Sequence, residues 1–592
     1  MDGIPSTQSP SRQPSYSRRG FLEHSTAGML GLLAACAGLG GCVQRKDPPS
    51  PALVARKRGA WIDGHAHIFN AEDLDTYGYV EHGEGDNATR KVAFTVFAPL
   101  IKTLCMTTRY IAPDIERENW LLDKMLDLRA ARRARQKRQG LAPASKGPAL
   151  ARELLQDLHT ADAAKQEEVA RAKKAFDDDL QRCLRGNGIG DGDKKAHPVR
   201  ELMARIARGI KPSFFTCLAN YRIYNALRLI ENYPEMDAFV VASLDTDSWY
   251  QFGGPKTKPG ERMMRQAQVM AKIAVLTEGQ VIPRTGFCPL RQMLSGYAKP
   301  TAKAPVSPLE VLRCSVHHFG AIGAKLYPVL GYRPLGNRFM TNRELADLPM
   351  RKIREALRDQ GELAAAAATL KDDEHTIGEG LDVALRGLYQ LCLEDDISVM
   401  AHTNRSWGPA PFMNRIAPNW WQQVAEEFPR ARVNLAHFGG FTKGRDAYGD
   451  MGQTAPKGRT GWPDEICQLL FRPEYPHFHA DIACITPTEK ISTDLMGILG
   501  DYALASRRLM YGSDWHEVLF PDGAPKYLGG WTEMFARHPE LGRHTNDFFG
   551  GNAVRFHSLH GGKTRTRLDA FYQAHDVNPV WRRKVEGERV VE

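Results

Sequence analysis

With 592 residues, 42% of them hydrophobic and 25% charged, the chain has the makeup of a globular protein with a sizeable core, and nothing in it calls for a membrane-spanning bundle. Its formal net charge of +10 is small for this length. The basic excess gathers over residues 129–138, where aromatic side chains are scarce, which argues against a nucleic-acid partner. The ten cysteines include no C-x-x-C pair, which excludes a zinc ribbon or a dithiol redox motif.

At the N-terminus, Ser17-Arg18-Arg19-Gly20-Phe21-Leu22 precedes a small-residue apolar run over residues 27–41. This resembles a twin-arginine export signal, and the run is too short and too rich in Gly and Ala for a spanning helix. It ends in Leu39-Gly40-Gly41-Cys42, which resembles a lipoprotein processing box. Cys42 is then the acylated first mature residue, with Cys36 as the competing position. The expected location is periplasmic or at the cell surface, with membrane contact only through a lipid anchor. The expected organisation is a signal over residues 1–42, a polar tether over 43–58, one catalytic domain over 59–560 and a polar, basic extension over 561–592.

Within the domain, apolar runs bounded by turn residues predict eight strands. They cover residues 60–68, 238–244, 280–287, 323–329, 397–403, 432–438, 478–484 and 508–512. Stretches of helical character lie between them. Strands that are nearly continuous in apolar residues, alternating with helices, predict a parallel (β/α)8 TIM barrel. An open doubly wound sheet lacks its glycine-rich phosphate loop after the first strand. The span far exceeds the roughly 250 residues usual for such a barrel, so helical insertions are expected over residues 119–208, between strands one and two, and over 341–378. Most of the basic run in the first insertion reads as a solvated face.

The ends of these strands carry the chemistry. In an extended strand, side chains two apart share a face, so His65 and His67 of Asp63-Gly64-His65-Ala66-His67 can point at one spot. Three other runs end in His402, His437 and Asp514. A parallel barrel brings the carboxyl ends of all its strands to one mouth, where such residues converge. Lys325 comes from the fourth strand. Asp245, Asp247, Arg284, Tyr332, Arg333, Asn404, Arg405 and Trp407 are further candidates to line the mouth, and Arg333 or Arg405 suits a substrate carboxylate. His516 and Cys484 are weaker candidates.

On these residues, with Gly323-Ala324-Lys325-Leu326-Tyr327-Pro328, Gly512-Ser513-Asp514-Trp515 and Gly550-Gly551-Asn552-Ala553, the chain resembles the amidohydrolase superfamily, in its amidohydrolase-related branch of metal-dependent hydrolases and decarboxylases. The resemblance implies that His65, His67, His402 and Asp514 hold one divalent metal, zinc, and that His437 orients or deprotonates the attacking water. Asp514 also carries a proton to the leaving group. Lys325 either bridges a second metal as a carbamate or makes a structural ion pair. The implied reaction is attack of metal-activated water on an amide, lactone or ester-like bond of a small molecule. The alternatives are non-oxidative decarboxylation of an aromatic or unsaturated acid, and a non-catalytic binding role on the same barrel. Self-association into a homo-oligomer is left open by the sequence.

Overall fold

The computed structural model describes residues 59–74, 108–139, 147–163, 165, 167, 168, 171, 216–246, 259–297, 306–340, 374–404, 415–441, 461–470, 472–501, 504–515 and 524–587. The export signal, Cys36, Cys42, the tether, Asp247, Arg405, Trp407, His516 and most of the second insertion lie outside them. The chain divides into two compact units, one of residues 1–42 with 167–207 and one of 43–166 with 208–592. The barrel belongs to the second.

Its elements run β1 (Ile62–Ala66), α1 (Ile115–Arg138), α2 (Pro148–Ala161), α3 (Arg222–Asn232), β2 (Ala238–Ala242), α4 (Pro259–Leu276) and β3 (Val281–Gly286). Then come α5 (Pro289–Tyr297), α6 (Pro308–His318), β4 (Gly323–Leu326), α7 (Glu374–Glu394), β5 (Ser398–His402), α8 (Trp421–Glu427) and β6 (Arg432–Ala436). The last part holds α9 (Trp462–Leu470), β7 (Phe478–Asp481), α10 (Glu489–Asp501), β8 (Leu509–Met510) and α11 (Ala524–Arg537). Neighbouring strands pair in parallel in the order β1 to β8. Gly64 N donates to Tyr511 O at 3.0 Å, which ties β1 to the end of β8 and closes the ring.

The strands are buried throughout, as a parallel sheet covered on both faces requires. Helix starts follow local chemistry. Asp114 caps α1, its carboxylate accepting from Arg117 N at 2.8 Å, and Ser307 with Glu310 forms a capping box on α6. Gly512 is required by a close approach: a Cβ there would stand 2.9 Å from the Cβ of His65 and 3.1 Å from that of Ala483.

Helix α1 is docked through charges. Arg222 at the start of α3 is fully buried, bidentate to Asp73 (2.6 and 2.7 Å) and paired with Glu118 of α1. In the basic run of α1, Arg135, Lys137 and Arg138 are exposed as expected, whereas Arg129, Arg132 and Arg133 are half-buried in ion pairs. Arg129 and Arg133 pair with Glu278 at 2.9 and 2.6 Å, Arg133 also pairs with Asp576, and Arg132 pairs with Asp157 and Glu153. All these partners lie outside α1, and Glu278 and Asp576 are far away in sequence, which is why composition alone suggested a solvated face. Beyond His560 the chain forms helices over Gly562–Ala574 and Val580–Val585, and Leu568, Phe571, Tyr572 and Trp581 join the buried cluster that includes Ile62, Val240 and Ile282. Among the described residues no helix is long and apolar enough to cross a membrane.

Candidate metal centre

His65 and His67 leave β1 on the same side, their ring centroids 5.3 Å apart. Each ring is fixed by what its Nδ1 touches. His65 Nδ1 lies 3.1 Å from Asp481 Oδ2, and His67 Nδ1 lies 2.9 Å from Ala242 O. Both acceptors lack a hydrogen, so both imidazoles carry theirs on Nδ1 and present a lone pair at Nε2. Both Nε2 atoms stand 3.4 Å from Asp514 Oδ1.

Asp514 reaches that position through an uncommon backbone. Its φ is 55°, a left-handed conformation that Asp tolerates better than most residues. Ser513 N and Asp514 N both donate to His65 O, at 3.1 and 2.8 Å. Asp63 adds a second tie, its Oδ1 accepting His65 N and Ser513 N at 3.0 Å each. His437 and Cys484, also just beyond strand ends, have positive φ of 67° and 60°, a strain that functional sites often carry.

His65, His67 and Asp514 offer ligand atoms that all lie within 4.8 Å of one another. Two imidazole nitrogens and a carboxylate oxygen suit a first-row divalent ion, and partners behind each ring are the usual support of such a site. The residues present therefore fit the implied metal. Burial, helped by the Lys325 charge, pushes His65 down to about 3. Burial also lowers His437 and, with His437 beside it, His402. Neutral imidazoles keep their lone pairs at neutral pH. Burial works against the charge on Asp514, but His437, His65 and His67 outweigh it and hold the carboxyl well below its usual range. At Asp63 burial outweighs the hydrogen bonds from Ser513 and His65 and pushes the carboxyl up to about 7.

The other expected residues divide. His437 joins the cluster, its ring 5.0 Å from that of His65 and its Nδ1 2.9 Å from Ala483 O. His402 ends β5 with its ring 4.5 Å from His437, but its Nε2 lies 2.9 Å from Asn404 O. Lys325 is fully buried with Nζ 2.8 Å from His65 Nε2, and burial lowers it to about 8. Arg333 sits over Trp420, its guanidinium carbon 3.8 Å from the ring centroid. Asp245 is buried against Arg291, and the Tyr332 hydroxyl accepts Tyr327 N at 2.8 Å.

Arg284 does not line the mouth. Its guanidinium donates to Ala324 O, Ser398 O and Ser398 Oγ at 2.7–2.9 Å and meets His557 Nδ1. Ser398 is the first residue of β5, at the end of the strand opposite His402. Asp481, by contrast, was overlooked. It ends the short run Phe478-His479-Ala480-Asp481, the same signature of apolar strand and polar last residue that marks His402 and Asp514.

A scan of protein-family models gives no match, and neither does a search of curated proteins. Solved structures do match. A 2,6-dihydroxybenzoate decarboxylase from Rhizobium is 15% identical with a TM-score of 0.31, over 57% of this chain and 88% of that one. A manganese-bound 5-carboxyvanillate decarboxylase from Novosphingobium aromaticivorans is 11% identical with a TM-score of 0.33, over 64% and 91%. A 4-oxalomesaconate hydratase from Rhodopseudomonas palustris is 13% identical with a TM-score of 0.31, over 67% and 94%. Similarity at this level carries nothing about the reaction.

Proposed function

We propose that this chain is a metal-dependent enzyme of the amidohydrolase superfamily that hydrolyses an amide, lactone or ester-like bond of a small molecule. The observation that carries this reading is the convergence of His65 Nε2, His67 Nε2 and Asp514 Oδ1 at one end of the barrel, each ring oriented from behind. His402 would complete the ligand set. A divalent ion held there supplies Lewis acidity and lowers the pKa of a water molecule.

The chain's own residues do the rest. His437, neutral near pH 7 and with its Nδ1 hydrogen committed to Ala483 O, takes a proton from the attacking water at Nε2. The proton taken up by His437 returns to the leaving nitrogen or oxygen as the scissile bond breaks, relayed by the Asp514 carboxylate. The water oxygen stays on the acyl carbon, so one water is consumed for each bond cleaved. Arg333, with Arg405 and Trp407, would bind the substrate, a guanidinium taking a carboxylate through paired hydrogen bonds.

A second reading is non-oxidative decarboxylation of a carboxylated substrate on the same residues, its carboxylate taken by the Arg333 guanidinium. The decisive experiment assays zinc- and manganese-loaded protein against lactones, amides and carboxylated aromatics, with a chelated control. Chelator-sensitive hydrolysis supports the first reading, and carbon dioxide release without net water uptake supports the second. Activity that survives both chelation and replacement of His65 and His67 by Ala would sink both. Export by the twin-arginine route with acylation at Cys42 is part of the same proposal, and an intact Met1 in the mature protein would overturn that part.

A further inference from the structure

We propose that Asp481 is the positioning residue of this centre: its carboxylate fixes the hydrogen on Nδ1 of His65 and the backbone of His437 together, so that a divalent cation meets a lone pair at His65 Nε2. The inference rests on the metal-centre reading above.

Asp481 is fully buried at the end of β7, between β6 and the start of the β7–α10 connection. Its Oδ2 faces His65 Nδ1 at 3.1 Å and accepts Asn434 Nδ2 at 2.6 Å. Its Oδ1 accepts His437 N and Ala483 N, both at 3.0 Å. A carboxylate offers about four acceptor sites, and four donors fill them. Ala483 O in turn receives His437 Nδ1 at 2.9 Å, so the main chain that Asp481 holds is the main chain that orients the His437 ring. One side chain thereby aligns residues of β1 and β6 that no local sequence relationship connects.

His65, His437 and Asp481 also form a donor cluster within 4.8 Å, which raises the competing idea that Asp481 is itself a ligand. The full set of donors argues against it. A cation on Oδ1 or Oδ2 would have to displace a backbone N–H, the Asn434 amide or the His65 ring, and the two backbone donors cannot turn away.

The same constraint gives Asp481→Asn a distinctive outcome. The amide oxygen must face the two backbone N–H groups, leaving its NH2 toward His65 and Asn434. A donor there favours the lone pair of His65 on Nδ1 and its hydrogen on Nε2, where the cation should bind, with Lys325 Nζ, 2.8 Å from Nε2, accepting that hydrogen as the neutral amine. Loss of such an outer partner typically weakens metal affinity 10–100-fold.

The test is titration of the metal-free protein with Zn2+ or Mn2+ against a chelator, together with 15N NMR of histidine-labelled protein to read the His65 tautomer. The expected result is one tight site in the wild type, at least tenfold weaker in D481N, with the His65 hydrogen moving from Nδ1 to Nε2 and the thermal transition retained. Equal affinities, or a wild-type His65 with its hydrogen on Nε2, would overturn the proposal. So would two wild-type sites of which D481N loses one, because Asp481 would then be a ligand. If D481N does not fold, the wild-type tautomer still decides. A wild type that binds no cation would refute the metal-centre reading, while the tautomer measurement would still judge the role of Asp481.

Discussion

The ammonium of Lys325 lies 2.8 Å from Nε2 of His65, the nitrogen that also faces Asp514. With its Nδ1 hydrogen committed to Asp481, His65 has one lone pair, and Lys325 and a metal ion compete for it. Replacing Lys325 with Met should therefore raise metal affinity. A hydrogen bond to a charged group is worth about 1.5–3 kcal/mol, so the gain should be roughly ten- to a hundredfold, read by chelator competition. The bridging-carbamate alternative makes the opposite prediction: the native wild-type mass would carry one extra carbon dioxide, and K325M would fall from two metal equivalents to one.

Asp514→Asn separates function from stability. The carboxylate is buried 3.4 Å from each ligand nitrogen, an arrangement suited to a cation, on a left-handed backbone that Asn tolerates as well as Asp does. The amide can instead donate to a lone pair of His65 or His67. We expect D514N to lose tight metal binding while its metal-free form is as stable as the wild type or up to about 1–2 kcal/mol more so, the usual exchange at strained functional sites. A large loss of stability in urea unfolding would mark Asp514 as structural.

The Arg222 network predicts the reverse. Arg222 is fully buried between Asp73 and Glu118, and removing one member leaves uncompensated buried charge. Arg222→Met should cost about 3–5 kcal/mol in urea unfolding. The Arg386–Glu427 pair, about one-third exposed on both sides, should contribute no more than about 1 kcal/mol when Arg386 is replaced. Similar losses for the two variants would contradict the role of burial.

The eight strands were legible because parallel strands buried on both faces are written as unbroken apolar runs. Their ends were not: residues beyond Leu326, such as Tyr327 and Val329, are as buried as the strand but turn into a 3-10 helix at Pro328. The strand-end pattern located His65, His67, His437 and Asp514, whose side chains converge. It placed His402 correctly on β5 but could not foresee the hydrogen bond of its ring to Asn404 O. Arg284 was misassigned because strand membership does not say which end a long side chain reaches. Asp481 passed unnoticed because its importance lies in four donors drawn from three separate segments.

Acid should destabilise the protein through its buried histidines, and His479 allows the effect to be isolated. His479 lies in β7 with its ring against Phe556, centroids 4.9 Å apart, and burial pushes it down to about 3. Its ordinary value, near 6.5, applies to the unfolded chain. Between those values the unfolded state binds one more proton at this site than the folded state, so stability falls as pH drops from about 6.5 toward 3. The slope from one such group is about 1.4 kcal/mol per pH unit. His65, also near 3, contributes likewise but is tied to metal binding, so the comparison belongs in chelated buffer. His479→Gln removes the titrating ring, and its urea-unfolding free energy should decline less steeply between pH 6 and pH 4, by roughly 1.4 kcal/mol per unit. The variant's stability at pH 7 does not enter, because the comparison is of slopes. Parallel acid limbs for the two proteins would mean that His479 is protonated in the folded state over this range, and that burial does not hold it neutral.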